Sequence, residues 1–332
     1  VNKVNIGLWY DFRNPPQWQQ PYEAFYAERL AQISRAETMG FRSCWLTEHH
    51  FCDDGYTPSP LLLASAIASR TEQMRLGTNL MLLPLHDPVR VAEDAATLSL
   101  VSGGRFDLGV GIGYRQLEFD YFQRKLSHRP SLVEEGIEIL RRSWSGEAVN
   151  FSGKRFEVGD LRVTPVPQTR PKIYLGGMVE PAIQRAARVA DGFLCTGGIG
   201  IDMYNAALEQ QGKSVQDGDV ILGCWAIIAE DPEAEAAKIG EHILYQANEY
   251  IKWGAFGPPG SVPLYENAAA AIENGLYELW DADMAVTEIN KLLANYPNIR
   301  DIHFWAQFPG ESVASGDARL RYIADKVLPR LG

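Results

Sequence analysis

Short runs of apolar and β-branched residues recur along this chain, each followed by a longer stretch of helical period, and this alternation limits the fold more than any other feature. Strands separated by helices pair in parallel, so the chain must build a parallel sheet covered by helices. The strand-like runs fall at 4–9, 43–47, 75–82, 106–111, 172–176, 192–196, 220–229 and 301–305, eight in all. Helical stretches lie near 22–39, 61–71, 89–101, 131–144, 181–190, 203–211, 232–252 and 285–294, and a last one near 314–327 closes the chain. In the first helix Phe25, Leu30, Ile33 and Ala36 recur at helical spacing, and Gly40 is placed to end it. Eight such units predict an α/β chain folded as a (β/α)8 TIM barrel, a single domain over residues 1–332.

A barrel of this kind needs ~250 residues, and the surplus falls in two insertions. One, near 147–171, reads as a hairpin through Asn150–Phe156 with a proline-rich return; the other, near 254–279, follows the seventh strand and reads as a lid or a plain loop. A doubly wound dinucleotide fold would need Gly-x-Gly-x-x-Gly after the first strand, where the chain has Gly7-Leu8-Trp9.

Charge narrows the function. With 42 acidic and 31 basic side chains the net charge is −11, which disfavours nucleic acid and anionic membrane as partners. The apolar runs fall far short of the ~20 residues that span a bilayer. The start lacks a leader pattern, and four cysteines without Cys-x-x-Cys spacing suit a reducing cytoplasm. Cys44 and Cys52 flank a histidine pair, but the spacing of structural zinc sites is missing, so no metal is expected.

The chemistry of such a barrel lies at the carboxyl ends of its strands. The second strand ends in Glu48-His49-His50, and side-chain alternation sends one imidazole toward the mouth and the other into the protein, without deciding which. Asn79, near the end of a buried third strand, carries an amide that needs partners, which a ligand could supply. Asp87-Pro88 reads as a helix cap. The fourth strand runs into Gly111-Ile112-Gly113-Tyr114-Arg115, and the fifth into Gly176-Gly177-Met178 ahead of a helix, a turn whose free N–H groups suit a phosphate. Trp9, Tyr10, Trp225 and Trp305 near strand ends could wall an apolar pocket.

Taken together these residues resemble the bacterial luciferase-like family of flavin-dependent oxidoreductases. The likeness is densest in Trp45-Leu46-Thr47-Glu48-His49-His50-Phe51, His86-Asp87-Pro88-Val89-Arg90, Ser102-Gly103-Gly104-Arg105 and Gly111–Phe119. It implies a barrel that binds reduced FMN as co-substrate, supplied by a separate reductase, and uses oxygen on a small organic substrate. By the same resemblance His49 is the catalytic histidine, and Thr78-Asn79-Leu80 lies under the flavin ring with a cis peptide between Asn79 and Leu80. Gly113, Tyr114, Arg115, Gly176, Gly177 and Met178 complete the cofactor site, and the protein forms a homodimer through the helices after its early strands. Two departures stand out: Gly177-Met178 replaces an acidic-serine pair, and Ile112 replaces an arginine, leaving Arg115 to meet the phosphate or face solvent. The alternatives are hydride transfer with a deazaflavin coenzyme, or flavin binding without catalysis. Metal-dependent hydrolysis lacks further ligands from other strands.

Overall fold

The computed structural model describes residues 4–331; Val1–Lys3, part of the start read above for a leader, and Gly332 lie outside the described residues. Eight strands close into a barrel: β1 (Asn5–Tyr10), β2 (Ser43–Leu46), β3 (Arg75–Thr78), β4 (Phe106–Val110), β5 (Ile173–Gly176), β6 (Gly192–Thr196), β7 (Asp219–Cys224) and β8 (Ile299–Trp305). Each pairs in parallel with its neighbours in sequence, and β1 pairs with β8 to close the ring. Every residue of β2 and β4 is buried, as expected where helices cover a sheet whose inner face is packed. The register sets Trp9 of β1 between Trp45 of β2 and Trp305 of β8, so three indoles fill one sector of the mouth.

The helices pack where their apolar periods point. Helix Tyr22–Met39 buries Phe25, Ile33 and Ala36, and Gly40 ends it at φ 105°, donating its N–H to the Ala36 and Glu37 carbonyls. Helix Pro88–Val101 opens on Asp87, whose carboxylate accepts the N–H groups of Val89 and Arg90. Among the described residues no helix is long and apolar enough to cross a membrane.

Three runs differ from expectation. The run 220–229 breaks at Trp225: β7 stops at Cys224, and Ala226–Ile228 leaves the barrel to pair with Glu278–Trp280 of the second insertion. A continuous apolar run carries no mark of where it changes partner. The stretch 232–252 forms two helices, Pro232–Lys238 and Gly240–Trp253. The run 75–82 pairs as a ladder only through Thr78, followed by a lone bridge between Met81 and Val110. In the first insertion Val149–Ser152 pairs antiparallel with Glu157–Leu161, the hairpin read from the sequence. Helix Gln116–Tyr121, just past β4, was not expected.

Candidate active site

The end of β2 divides its two histidines. The His49 ring points into an enclosure of aromatic side chains, with ring centres 4.9 Å from Tyr56, 5.3 Å from Tyr114, 5.2 Å from Trp253 and 6.4 Å from Tyr250. Tyr250 and Trp253 occupy the last turn of helix Gly240–Trp253, on one face of it. His49 Nδ1 lies 2.8 Å from Glu118 Oε1, and Nε2 lies 3.0 Å from the Tyr114 hydroxyl. A carboxylate only accepts, so Nδ1 carries the proton and the Nε2 lone pair accepts from Tyr114.

Burial holds the His49 imidazole below its usual range, against the pull of Glu118 and with help from the Arg115 and Arg13 cations. The ring is therefore neutral near pH 7. Burial alone would raise the Glu118 carboxyl, but His49, the His50 N–H and Arg115 outweigh it and hold it low. Glu118 stands four residues past Tyr114, in the helix that sequence reading missed. It, and not Glu48, is the carboxylate that orients His49.

His50 turns the other way. Its Nε2 donates to Glu48 Oε1 at 3.1 Å, and His86 Nε2 donates to the same oxygen at 2.7 Å; Glu48 Oε2 accepts the Leu82 N–H. The reading that further ligands from other strands are missing is thereby corrected. His86, from the loop after β3, joins Glu48 and His50 with donor atoms within 4.8 Å of one another. Sequence spacing hid it, because His86 lies 36 positions beyond His50. Burial pushes the Glu48 carboxyl up, yet His86 and His50 bring it down to about 2. Both of its oxygens are engaged, and the cluster acts as a clasp between β2 and the loop after β3.

The peptide between Asn79 and Leu80 is cis. The Asn79 amide, whose partner was expected to be a ligand, instead meets His303 Nε2 at 2.9 Å inside the barrel. His303 Nδ1 then donates to Asp301, which also accepts from the Trp45 indole at 2.9 Å, and the Trp9 indole donates to the Asn79 carbonyl. Thr78 Oγ1 donates across to the Gly109 carbonyl at 2.6 Å. Leu80 rests over β4 and β5: a Cβ at Gly111 or Gly176 would come within 2.4 or 2.5 Å of its methyl groups, so glycine at both positions makes its seat.

Arg115 is buried and does not face solvent. Its Nη1 donates to the His50 carbonyl at 2.8 Å and to Glu118 at 3.1 Å, and its guanidinium lies over the Trp253 ring at 4.6 Å. Gly113 adopts φ 73°, and its carbonyl accepts from Arg129 at 3.0 Å. Gly177 packs on Ala182, and Met178 is exposed. The fold thus gathers His49, Tyr114 and Arg115 in one enclosure and sets Leu80 with Gly176 on the barrel floor. Among the described residues no hydrogen bond links Gly177 or Met178 to His49.

Several buried polar atoms at this end have no partner among the described residues, including the indole nitrogens of Trp225 and Trp305. A cleft of about 660 Å³, joined to Gly113 through Arg129, is lined by Arg124, Lys125 and Arg129 together with Asp120 and Gln116. Orphaned donors and a glycine-cut floor at this end, with a cleft of net positive lining reached through Arg129, fit a flat ring with a polar edge and a phosphate-bearing tail.

The family described as luciferase-like monooxygenase matches residues 5–289. An uncharacterized protein y4vJ of Sinorhizobium fredii is 30% identical over 228 residues, 65% of this chain and 64% of that one. An F420-dependent glucose-6-phosphate dehydrogenase of Amycolatopsis mediterranei is 30% identical over 200 residues, 56% of this chain and 60% of that one. These matches span less than two thirds of either relative's length. Among solved structures, monooxygenase RslO1 from Streptomyces bottropensis superposes with a TM-score of 0.83 at 22% identity, covering 99% of this chain and 100% of its own. An F420-dependent secondary alcohol dehydrogenase, solved with an F420-acetone adduct, gives 0.76 at 18%, covering 99% of both. At such identities the likeness is one of fold. The family match runs from β1 into helix Ala282–Asn295, ahead of β8, and takes in β2 with its histidine pair, and on that ground the chain belongs to the luciferase-like family of oxidoreductases.

Proposed function

We propose that the protein is a flavin-dependent monooxygenase that takes reduced FMN from a separate reductase and uses oxygen to oxidise a small organic substrate. The observation that carries this reading is His49, a neutral imidazole with its Nε2 lone pair turned into an enclosure that aromatic rings close to water. Reduced FMN, when bound, supplies the electron pair for oxygen chemistry. Leu80, seated on Gly111 and Gly176, offers the floor for the ring; Trp225 and Trp305 offer N–H donors to its edge; and Arg129, bonded to Gly113, with Arg124 in the same cleft, offers cations to its phosphate. His49 takes a proton at Nε2 and returns it, while Glu118 keeps the proton on Nδ1 and so holds the lone pair in place. Tyr56, Tyr250 and Trp253 exclude the water that would otherwise quench oxygen chemistry.

A second reading, hydride transfer with a deazaflavin, is favoured by two observations. A neutral His49 can take the hydroxyl proton of an alcohol as hydride passes from its carbon to the deazaflavin, and the Gly177-Met178 turn, with Met178 exposed, departs from the flavin pattern. Titration with reduced FMN and with oxidised deazaflavin, the hydride acceptor, followed by turnover with and without oxygen, separates the readings. Oxygen-dependent product with FMN supports the first, anaerobic turnover with deazaflavin the second, and failure to bind either removes both. The expected homodimer is proposed on the outer apolar side chains Leu62, Leu100 and Val101 of the helices after β2 and β3, with sedimentation as its test.

A further inference from the structure

Arg13 lies three residues past β1 and is buried against the same rings that enclose His49. Its guanidinium carbon sits 4.8 Å from the Trp253 ring centre, 5.0 Å from Tyr245, 5.3 Å from Tyr56 and 5.8 Å from Tyr250. Nε donates to Asp54 Oδ2 at 2.5 Å. Nη1 and Nη2 have no hydrogen-bond partner among the described residues, although both are buried.

Neighbouring carboxylates do not fill that gap. Asp54 is held on the Nε side by the Tyr245 hydroxyl at 3.0 Å and the Tyr56 N–H at 3.2 Å. Asp11 receives the Arg13 backbone N–H at 3.2 Å and the Gln246 amide at 3.4 Å. What remains is the end-on fork of two parallel N–H groups, the geometry that a carboxylate meets with both oxygens. Trp253 lies between this guanidinium at 4.8 Å and that of Arg115 at 4.6 Å. It is the last residue of its helix, ahead of Gly254 at φ 90°, and is the ring placed to give way.

We propose that Arg13 anchors the carboxylate of the substrate, so that the protein acts on small aromatic or apolar carboxylic acids. The carboxylate docks on Nη1 and Nη2, the Tyr56, Tyr245 and Tyr250 rings hold the apolar body, and the far end of the molecule reaches His49, which shares Tyr56 and Trp253 with Arg13. The assignment rests on the oxidoreductase reading, because it names the substrate class of that site.

Calorimetric titration with benzoate, with its neutral isostere benzamide and with inorganic phosphate tests it. The wild type should bind benzoate at least about tenfold more tightly than benzamide, as a paired fork and carboxylate require. Arg13→Met should bring the ratio to about one, and Arg13→Lys, which keeps the charge and loses the fork, should fall between. Trp253→Ala leaves the Arg13 ion pair intact and should tighten benzoate about threefold by uncovering the fork. Equal affinity for benzoate and benzamide in the wild type and in Trp253→Ala overturns the assignment, as does phosphate competing as well as benzoate. The same preparations are titrated with FMN and deazaflavin. Cofactor binding without benzoate preference removes the anchor and leaves the oxidoreductase reading; benzoate preference without cofactor binding does the reverse.

Discussion

His49 and His50 are neighbours on one strand end, yet they belong to opposite kinds of site. The His49 ring is packed against four aromatic rings, and its carboxylate partner Glu118 is shared with Arg115 and the His50 N–H. Desolvation wins there, and the ring stays neutral. On the other side Glu48 accepts from two imidazoles on one oxygen and from the Leu82 N–H on the other. Burial lowers the His86 imidazole as well, but Glu48 overrides it and raises the group. The comparison teaches that a carboxylate beside an imidazole does not by itself make it charged. What decides is how deeply the ring is buried and which other charges face it: His49 is almost wholly buried and faces Arg115 and Arg13, whereas His86 is a quarter exposed and has Asp94 near it besides Glu48.

The sharpest way to break this comparison is His49→Gln, which should lower turnover about 10²–10⁴-fold while leaving cofactor affinity near the wild-type value. Turnover within threefold of wild type would remove His49 from the chemistry. Glu48→Ala should act in the opposite sense, costing about 3–5 kcal/mol of stability by stranding His86 and His50. Urea unfolding reads that loss, and an unchanged midpoint would show that the clasp carries no weight. Glu118→Gln should lower turnover about tenfold, since Glu118 aims the imidazole and is not itself the proton acceptor. Because Glu118 raises the His49 pKa, its removal should also shift the acid limb of the pH–rate profile to lower pH; a limb that does not move would argue against the pairing.

The smallest effect is on the pH dependence of stability. The His86 imidazole is raised in the fold, so its contribution is complete below the ordinary histidine value of about 6.5 and is lost as pH climbs through the raised one. Glu48, held at about 2, contributes above the ordinary carboxyl value of about 4.3 and loses that contribution as pH falls toward about 2. Unfolding measured across this range should show both limbs in the wild type and a flatter curve in Glu48→Ala.

All eight barrel strands were legible, because strands buried on both faces read as apolar runs and helices between them force parallel pairing. The ends of the runs were less so. Nothing in the residues 220–229 marks Trp225 as the point where the chain leaves the barrel, since Ala226–Ile228 is as apolar as what precedes it and differs only in its partner. Within the site, the Glu-His-His run and the Gly-Tyr-Arg turn stood out as polar or glycine-rich segments at strand ends. Arg13 had the same signal, a charged residue just past β1. Trp253 had none, being one aromatic among many on an amphipathic helix.

The alternation of period two and period 3.6, local in the chain, determined by itself the barrel, its eight strands and the rim that carries His49. The partners of His49, the clasp around Glu48 and the uncovered fork of Arg13 were decided only by tertiary structure. Each joins side chains from different strand ends, such as His49 with Glu118 69 positions away and Arg13 with Asp54 41 positions away. No local pattern encodes such a meeting, because closing the ring brings the strand ends together whatever their separation along the chain.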